Sequence, residues 1–146
     1  MDVEEVRFGK DGLIPVVVQD MNSKKVLILG FMSQEALVVT IETSHVTFWS
    51  RTRQALWTKG KTSGNFLQVS NILVNCEENS LLITVEPLGP ACYTGAASCY
   101  ELPSGQNRYL NRLEVLRTLK GQLRDQRALN DLGILVLGSV MVHEVE

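Results

Sequence analysis

Three cysteines and a block of basic and hydroxyl residues are the side chains of this sequence best suited to chemistry. Cys76 and Cys92 are separated by fifteen residues, and Cys92 and Cys99 by six. Three thiolates can hold zinc tetrahedrally and leave a fourth position for water, which then loses its proton near neutral pH. A second interpretation stays open, because no pair has the two-residue separation of zinc knuckles: the cysteines can be reduced, partly buried thiols.

The two histidines are possible fourth ligands. His45 and His143 each lie beside valines in strand-like runs. We therefore interpret both as ordinary strand residues.

The basic block is WSRTRQALWTKGKTSGNF, which runs from Trp49 to Phe66. Arg51 and Arg53 share one face if the strand before them continues, and arginine forks match phosphate oxygens in pairs. The turn Thr62-Ser63-Gly64-Asn65 can present backbone N–H groups to an anion. The block could therefore cradle a phosphoribosyl group. The alternative is a charged hairpin with Trp49 and Trp57 buried beneath it.

Apolar runs separated by turn residues predict the elements that position these side chains. We expect strands at Leu13 to Val18, Val26 to Met32, Val46 to Ser50, Phe66 to Val74 and Leu81 to Val85. Ser33 is a suitable N-cap for a short helix that ends near Thr43. Pro87, Gly89 and Pro90 break regular structure, so residues 92–99 are predicted to form a loop. The predicted fold class is α+β, with one antiparallel sheet.

The region after Gly105 has a different character. Leu110, Leu113, Leu116 and Leu119 recur at helical spacing among basic residues, which predicts an amphipathic helix of about five turns. We favour packing on the sheet or on a partner subunit over nucleic-acid binding, because the net charge of the chain is -2. The apolar run from Leu132 to Val142 fits a terminal strand.

Length and composition limit the remaining possibilities. The 146 residues predict one domain, 1–146, with a helix and terminal strand over 107–142. The N-terminus lacks the apolar segment of a signal peptide, and no apolar run is long enough to cross a bilayer. We expect a cytoplasmic protein that binds neither nucleic acid nor membranes. The odd number of cysteines favours reduced thiols or thiolate ligands over disulfides.

At these residues the sequence resembles the phosphoribosyl-AMP cyclohydrolase family of histidine biosynthesis. The matching motifs are LIPVVVQD (Leu13 to Asp20), VLILGFMSQEAL (Val26 to Leu37), VTFWSRTRQALWTKGKTSGNFLQV (Val46 to Val69) and EPLGPACYTGAASCY (Glu86 to Tyr100). They cover residues 13–100 almost without gaps, and both cysteine spacings agree with those of the family. The resemblance favours zinc over free thiols.

The resemblance implies an α+β intertwined homodimer in which Cys76 of one chain meets Cys92 and Cys99 of the other around zinc. Zinc-activated water then attacks the adenine ring of N1-(5-phosphoribosyl)-AMP and opens the N1–C6 bond, as in zinc deaminases. The residues implied to hold the phosphoribosyl nucleotide are Ser50, Arg51, Arg53, Lys59, Thr62 and Ser63.

The sequence departs from the family pattern at chemical positions. The family motif Asp-Cys-Asp-x-Asp, whose carboxylates are taken to bind magnesium, is here Asn75, Cys76, Glu77, Glu78 and Asn79. A site formed by Asn75, Glu77 and Asn79 would bind Mg²⁺ more weakly. Tyr93 stands where the family has His, and a phenol is a poorer base than an imidazole at neutral pH. Lys61 replaces a Glu beside the substrate, so Tyr93 and Lys61 are the candidate catalytic residues.

We therefore expect a zinc-dependent cyclohydrolase that opens the purine ring of a phosphoribosylated adenine nucleotide. The alternative is a repurposed or inactive family member that keeps zinc and nucleotide binding but acts on a different ligand. In bifunctional members a pyrophosphatase domain follows. Only 46 residues follow Tyr100, so we expect no such activity.

Overall fold

The structure is a computed structural model that describes residues 1–131. It contains two compact units, Met1–Arg108 and a second that begins at Tyr109. The prediction of one domain over residues 1–146 stays a prediction. The predicted strand over Leu132 to Val142 lies outside the described residues.

The first unit holds six strands, one α-helix and a short 3-10 helix. These are Val3–Glu5 (3-10), β1 Leu13–Asp20, β2 Val26–Ser33, α1 Gln34–Thr43, β3 Thr47–Ser50, β4 Ala55–Thr58, β5 Leu67–Val74 and β6 Leu81–Pro87. Each of the five strands predicted between Leu13 and Val85 is present, and α1 ends at the predicted residue. The α+β class is therefore confirmed.

The prediction of a single antiparallel sheet is wrong in two respects. β2, β1, β6 and β5 form a four-stranded sheet in that order, while β3 and β4 form a separate hairpin. The central pair β1 and β6 is parallel, with Val16 opposite Leu81 and Val18 opposite Ile83. A parallel pair needs a long crossover, here everything between the two strands, and local sequence patterns do not show such a connection.

One face of the four-stranded sheet forms the core. Ile14, Val16 and Val18 of β1 alternate with less buried residues and are fully buried, as is Ile83 of β6. Side chains on a strand alternate between the two faces, so these residues share the inner face. Helix α1 contributes Leu37 to the same cluster.

The opposite face carries a continuous apolar row in the first unit. Strand register places Leu29, Val17, Leu82 and Leu73 side by side across β2, β1, β6 and β5. We call these four residues the outer row. Its two end members are largely exposed, Leu29 at 52% and Leu73 at 47%. Adjacent apolar side chains of this size that remain in water indicate a surface suited to association.

Helix α1 is fixed at both ends by its own sequence. The Ser33 hydroxyl accepts a hydrogen bond from the Ala36 N–H at 3.1 Å, and Ser44 ends the helix in the left-handed conformation. Buried Thr40 accepts from the Thr47 N–H at 3.0 Å and so links the helix to β3. The helix thereby holds the β3–β4 hairpin against the sheet.

The second unit contains the predicted amphipathic helix, α2, at Arg112–Asp131. Leu110, Leu113 and Leu116 are exposed within this chain. In the part of the chain that the structure describes, neither α-helix has the length and apolar character needed to cross a membrane.

Candidate active site

Cys92 and Cys99 lie together in the loop that follows β6. The Cys92 N–H donates to the carbonyl of Ala96 at 3.1 Å, which closes the loop on itself. The Cys99 N–H donates to the carbonyl of Leu27 at 2.8 Å, which fastens the end of the loop to β2. The Cys92 and Cys99 thiols lie close enough for each to affect the pKa of the other. The structure thus brings two of the three predicted zinc ligands close together.

The surroundings of this pair favour one thiolate. The Thr94 hydroxyl donates to Cys92 Sγ at 3.0 Å, and this hydrogen bond is the main reason that the pKa of Cys92 is lowered. Cys99 is exposed as a residue, but desolvation around its sulfur and the neighbouring Cys92 raise the pKa of its thiol to about 11. Cys92 is therefore the first of the two sulfurs to carry negative charge.

Lys59 supplies the positive charge nearest to the pair. It is only 6% exposed and lies close enough to favour the thiolate form of both Cys92 and Cys99. A largely buried lysine side chain is stabilised by an anion nearby. Lys59 was among the residues implied to hold the phosphoribosyl nucleotide, and the structure places it near the two thiols.

Cys76 lies at the other end of the sheet. It is exposed in the turn between β5 and β6, whereas Cys92 and Cys99 follow the far end of β6. The seven residues of β6 alone extend about 20 Å. Among residues 1–131 no three His, Cys, Asp or Glu side chains are grouped to hold a metal ion. Cys76 cannot join Cys92 and Cys99 of its own chain around one ion.

The residues of the basic block are also divided between two opposite ends, those of the β3–β4 hairpin. β3 ends at Ser50, and Arg51 and Arg53 lie in the hairpin turn, so the strand does not continue through them as the shared face required. Lys59 lies at the opposite end of the hairpin, where its N–H donates to Val46. The hairpin interpretation is confirmed, but the burial of Trp57 is not, because this residue is 40% exposed.

An open cleft of about 700 Å³ adjoins the arginine end of the hairpin. The Arg51 guanidinium lies 4.1 Å from the centroid of the Phe31 ring, a cation–π contact that fixes its position. The other lining residues come from the N-terminal segment, the start of α1, β3 and the turn: Asp11, Gly12, Leu13, Ser33, Gln34, Glu35, Trp49 and Gln54. The cleft combines an indole, a guanidinium and two carboxylates, groups that suit a nucleotide.

The turn that contains Thr62 and Ser63 packs against the chain leading to the cysteines. Ser63 Oγ accepts from the Asn65 N–H at 3.2 Å. A Cβ at Gly89 would lie 2.1 Å from Asn65 Oδ1, so the glycine permits close contact between the turn and residues 87–90. Thr62 and Ser63 are therefore on the side of Cys92, away from Arg51.

Tyr93 and Lys61, the predicted catalytic residues, are both exposed. Tyr93 follows Cys92 directly and is 95% exposed. Lys61 lies in the turn after β4, on the thiol side of the hairpin. Within one chain neither side chain lines the cleft beside Arg51.

The residues of the predicted magnesium site form a hydrogen-bonded turn. Asn75 Oδ1 accepts from the N–H groups of Asn79 and Ser80, both at 2.9 Å. Asn75 Nδ2 donates to Asn79 Oδ1 at 2.7 Å, and Asn79 Nδ2 donates to Glu77 Oε2 at 3.2 Å. The oxygens that the resemblance assigns to the cation thus have hydrogen-bond donors in the chain.

Comparison with known proteins places the chain in a family. Residues 28–101 match the family profile described as phosphoribosyl-AMP cyclohydrolase. The chain belongs to the phosphoribosyl-AMP cyclohydrolase family. The matched region contains all three cysteines and the whole basic block.

The relatives of this family member are longer than the chain itself. It is 43% identical over 125 residues to the histidine biosynthesis bifunctional protein HisIE of Bacillus subtilis (strain 168), covering 86% of this chain and 60% of that protein. It is 50% identical over 117 residues to the protein of the same name from Vibrio vulnificus (strain CMCP6), covering 77% and 56%. For Escherichia coli O157:H7 the values are 52% over 106 residues, 73% and 52%. The chain therefore spans little more than half of each of these relatives.

Sequence reasoning missed Thr94 and Ser98. Thr94 donates to Cys92 Sγ, and buried Ser98 donates to the carbonyl of Val26 at 2.6 Å. Hydroxyl residues between two cysteines can donate hydrogen bonds to a thiolate or to the backbone, and their position between Cys92 and Cys99 was the available signal.

Proposed function

We propose that this chain is a zinc-dependent cyclohydrolase that opens the purine ring of a phosphoribosylated adenine nucleotide of the phosphoribosyl-AMP type, in histidine biosynthesis. The relatives named HisIE and the family membership support the reaction class. The observation that carries the proposal is the proximity of Cys92 and Cys99 in one loop, together with the Thr94 hydroxyl that donates to Cys92 Sγ.

The donor set fits zinc. Thiolate sulfur is a preferred zinc ligand, and a hydroxyl that donates to a bound sulfur is a typical outer contact of such a site. Bound by Cys92, Cys99 and a third thiolate, zinc would supply an activated water for addition to the ring carbon beside N1. Lys59 would partly offset the negative charge that three thiolates place on the ion.

The third thiolate would come from a second copy of the chain. The two-fold axis of this homodimer would lie along the outer row. Rotation about it places the outer rows of two copies against each other and reverses the strand direction of the partner. The Cys76 end of one sheet then faces the Cys92 end of the other. A homodimer of this kind completes two identical sites and covers Leu29 and Leu73.

The same rotation joins the two halves of the basic block. Arg51, fixed on Phe31, would take a phosphate beside the cleft, and Trp49 would stack on a ring of the nucleotide. The carboxylates of Asp11 and Glu35 would accept hydrogen bonds from ribose hydroxyls. Lys61, Thr62 and Ser63 of the partner subunit would approach from the thiol side and contact the second phosphoribosyl arm.

Tyr93 would be enclosed only in this dimer. Its exposed side chain follows Cys92 and would face the cleft of the other copy. There its hydroxyl would orient the ring nitrogen or donate a hydrogen bond to it, a role that does not require it to act as a base.

Two measurements test the proposal. Metal analysis should find one zinc per chain, and zinc-loaded protein should open the ring of phosphoribosyl-AMP in a spectroscopic assay. Cys92→Ser should lose both zinc and turnover, whereas Ser104→Ala, an exposed position in the loop after Tyr100, should retain both. Zinc-loaded protein without turnover of this nucleotide would refute the assigned substrate and leave the alternative of a repurposed or inactive family member.

A further inference from the structure

The turn between β5 and β6 holds its shape through side-chain amides. Asn75 Oδ1 accepts two backbone N–H groups, from Asn79 and Ser80 at 2.9 Å each, so both of its lone pairs are used. Because two backbone donors face this atom, it must be the oxygen of the amide and its neighbour the nitrogen. That nitrogen, Nδ2, donates to Asn79 Oδ1 at 2.7 Å.

The short distance between the Asn75 and Asn79 side chains affects how much negative charge these two positions can carry. If both residues were aspartates, two carboxylate oxygens would meet at the distance where Asn75 Nδ2 now meets Asn79 Oδ1, and both would be acceptors. Such a pair repels unless a cation or proton lies between its members. In this chain the amide of Asn75 supplies the donor itself.

Two further hydrogen bonds hold the turn within the chain. Asn79 Nδ2 donates to Glu77 Oε2 at 3.2 Å, so the only carboxylate among the three presumed magnesium ligands is already engaged. The Glu78 carbonyl accepts from the Arg7 N–H at 2.8 Å, which ties the turn to the N-terminal segment. Magnesium binds near-octahedrally through carboxylates and retained waters, and this set offers one formal negative charge where the acidic motif offers three. The residues do not fit a magnesium site.

We propose that the Asn75–Asn79 amide contact has taken over the structural role of a divalent cation, so that the β5–β6 turn and its Cys76 are positioned without magnesium. Asn75 is then a positioning residue for Cys76. The magnesium-free turn does not depend on the proposed function, whereas the effect on zinc binding through Cys76 does.

The first test compares the wild type with Asn75→Asp/Asn79→Asp. Both are prepared with zinc bound, then heated with and without 10 mM MgCl₂, at about constant ionic strength. The melting temperature of the wild type should not change, and that of the variant should rise by about 2–4 °C if Mg²⁺ binds with a dissociation constant of about 1 mM. Asn71→Asp/Asn111→Asp adds the same charge at separate exposed positions and should not respond.

Binding is measured directly with Mn²⁺ as a paramagnetic substitute for Mg²⁺. The electron paramagnetic resonance signal of free Mn²⁺ should persist with the zinc-loaded wild type and decrease with the double aspartate variant. Loss of the signal with the wild type, together with a Mg²⁺-induced rise in its melting temperature, would overturn the proposal.

The second test concerns zinc. Asn75→Ala removes the acceptor of two backbone N–H groups and should weaken zinc binding about tenfold in competition with a chromophoric chelator. Asn75→Asp keeps that acceptor, and Asn79 can turn its amide to donate to it, so zinc affinity should be largely restored. Equal zinc affinity in all three proteins would show that Asn75 does not position Cys76. If none of them binds zinc, the proposed function fails, and the Mg²⁺ and Mn²⁺ measurements made on the zinc-free proteins still decide the first claim.

Discussion

The hydroxyl of Ser98 donates to the carbonyl oxygen of Val26 at 2.6 Å, across 72 positions of sequence. Ser98 is fully buried, and its oxygen also accepts from the Tyr100 N–H at 3.0 Å. This one side chain therefore fastens the cysteine loop to β2 immediately before Cys99. The placement of a sulfur depends here on a residue with no chemical role of its own.

Replacing this hydroxyl should destabilise the fold. Ser98→Ala removes the acceptor of the Tyr100 N–H and the donor to the Val26 carbonyl, and should lower the free energy of unfolding by about 1–3 kcal/mol. Urea denaturation followed by tryptophan fluorescence measures the change. Ser104→Ala, at an exposed position, should change it by less than about 0.5 kcal/mol. Equal effects of the two substitutions would contradict the role given to Ser98.

Alanine substitutions at two glycines of the turn after β4 distinguish the cost of a left-handed backbone conformation from the cost of a steric clash. Gly60 and Gly64 both have positive φ, +96° and +79°. A Cβ at Gly64 meets nothing within 4 Å, whereas a Cβ at Gly60 would lie 2.4 Å from the backbone nitrogen of Phe66. Gly64→Ala should therefore cost about 1 kcal/mol of stability from its left-handed conformation alone.

Gly60→Ala should cost a further ~1–3 kcal/mol, because backbone must move to admit the methyl group. The movement should also displace Lys59, which is buried beside the thiols. Thermal denaturation of the two variants under the same conditions measures the difference. If Gly60→Ala were no less stable than Gly64→Ala, the close approach to Phe66 would be wrong.

Much of the fold could be predicted from local signals. Ser33 marked the start of α1, and alternating apolar residues marked the strands, because a half-buried strand or helix leaves a period in the sequence. The parallel pairing of Val16 with Leu81 leaves no such period. Strand order depends on which apolar faces meet across a long crossover, and a single sequence does not record that.

The sequence indicated which residue types could form the candidate site but not their geometry. Arg51 and Lys59 read as one cradle because they are close in sequence, yet the β3–β4 hairpin carries them to opposite ends. From the sequence, Asn75 and Asn79 indicated a weakened cation site, because the sequence shows their lack of charge but not their contacts. The hydrogen bond between their side chains depends on the backbone conformation of the turn, which the sequence does not show.

The outer row predicts how two copies associate. Leu73→Glu places a charge on an exposed end of the row and, by symmetry, does so twice in a dimer. Dimerisation should weaken by about 100-fold or more, since each leucine contributes on the order of 1.5 kcal/mol or more when buried. Sedimentation velocity across a dilution series measures the dissociation constant.

Ile41→Glu is the matched control for that experiment. Ile41 is as exposed as Leu73 but lies on α1, away from the outer face of the sheet. It should leave the dissociation constant unchanged. A dimer that tolerates Leu73→Glu but not Ile41→Glu would place the interface on the helix and remove the two-fold axis along the outer row.

Exchange of subunits tests whether one site draws its sulfurs from two chains. Cys76→Ser and Cys92→Ser homodimers should each lack a ligand in both sites. Co-expression with two affinity tags allows the mixed dimer to be isolated. In it one site has lost both Cys76 and the partner's Cys92, and the other keeps all three sulfurs. This dimer should bind one zinc and show about half of the wild-type activity.

A second mixed dimer is expected to be inactive, in contrast to the first. When wild type is paired with a Cys76→Ser/Cys92→Ser chain, each shared site loses one sulfur, so neither should turn over substrate. If all three cysteines of a site came from one chain, the results would be reversed: this dimer would keep half of the activity and the first would have none. The two dimers contain the same number of substituted cysteines, so only the distribution of Cys76 and Cys92 between chains can explain the difference.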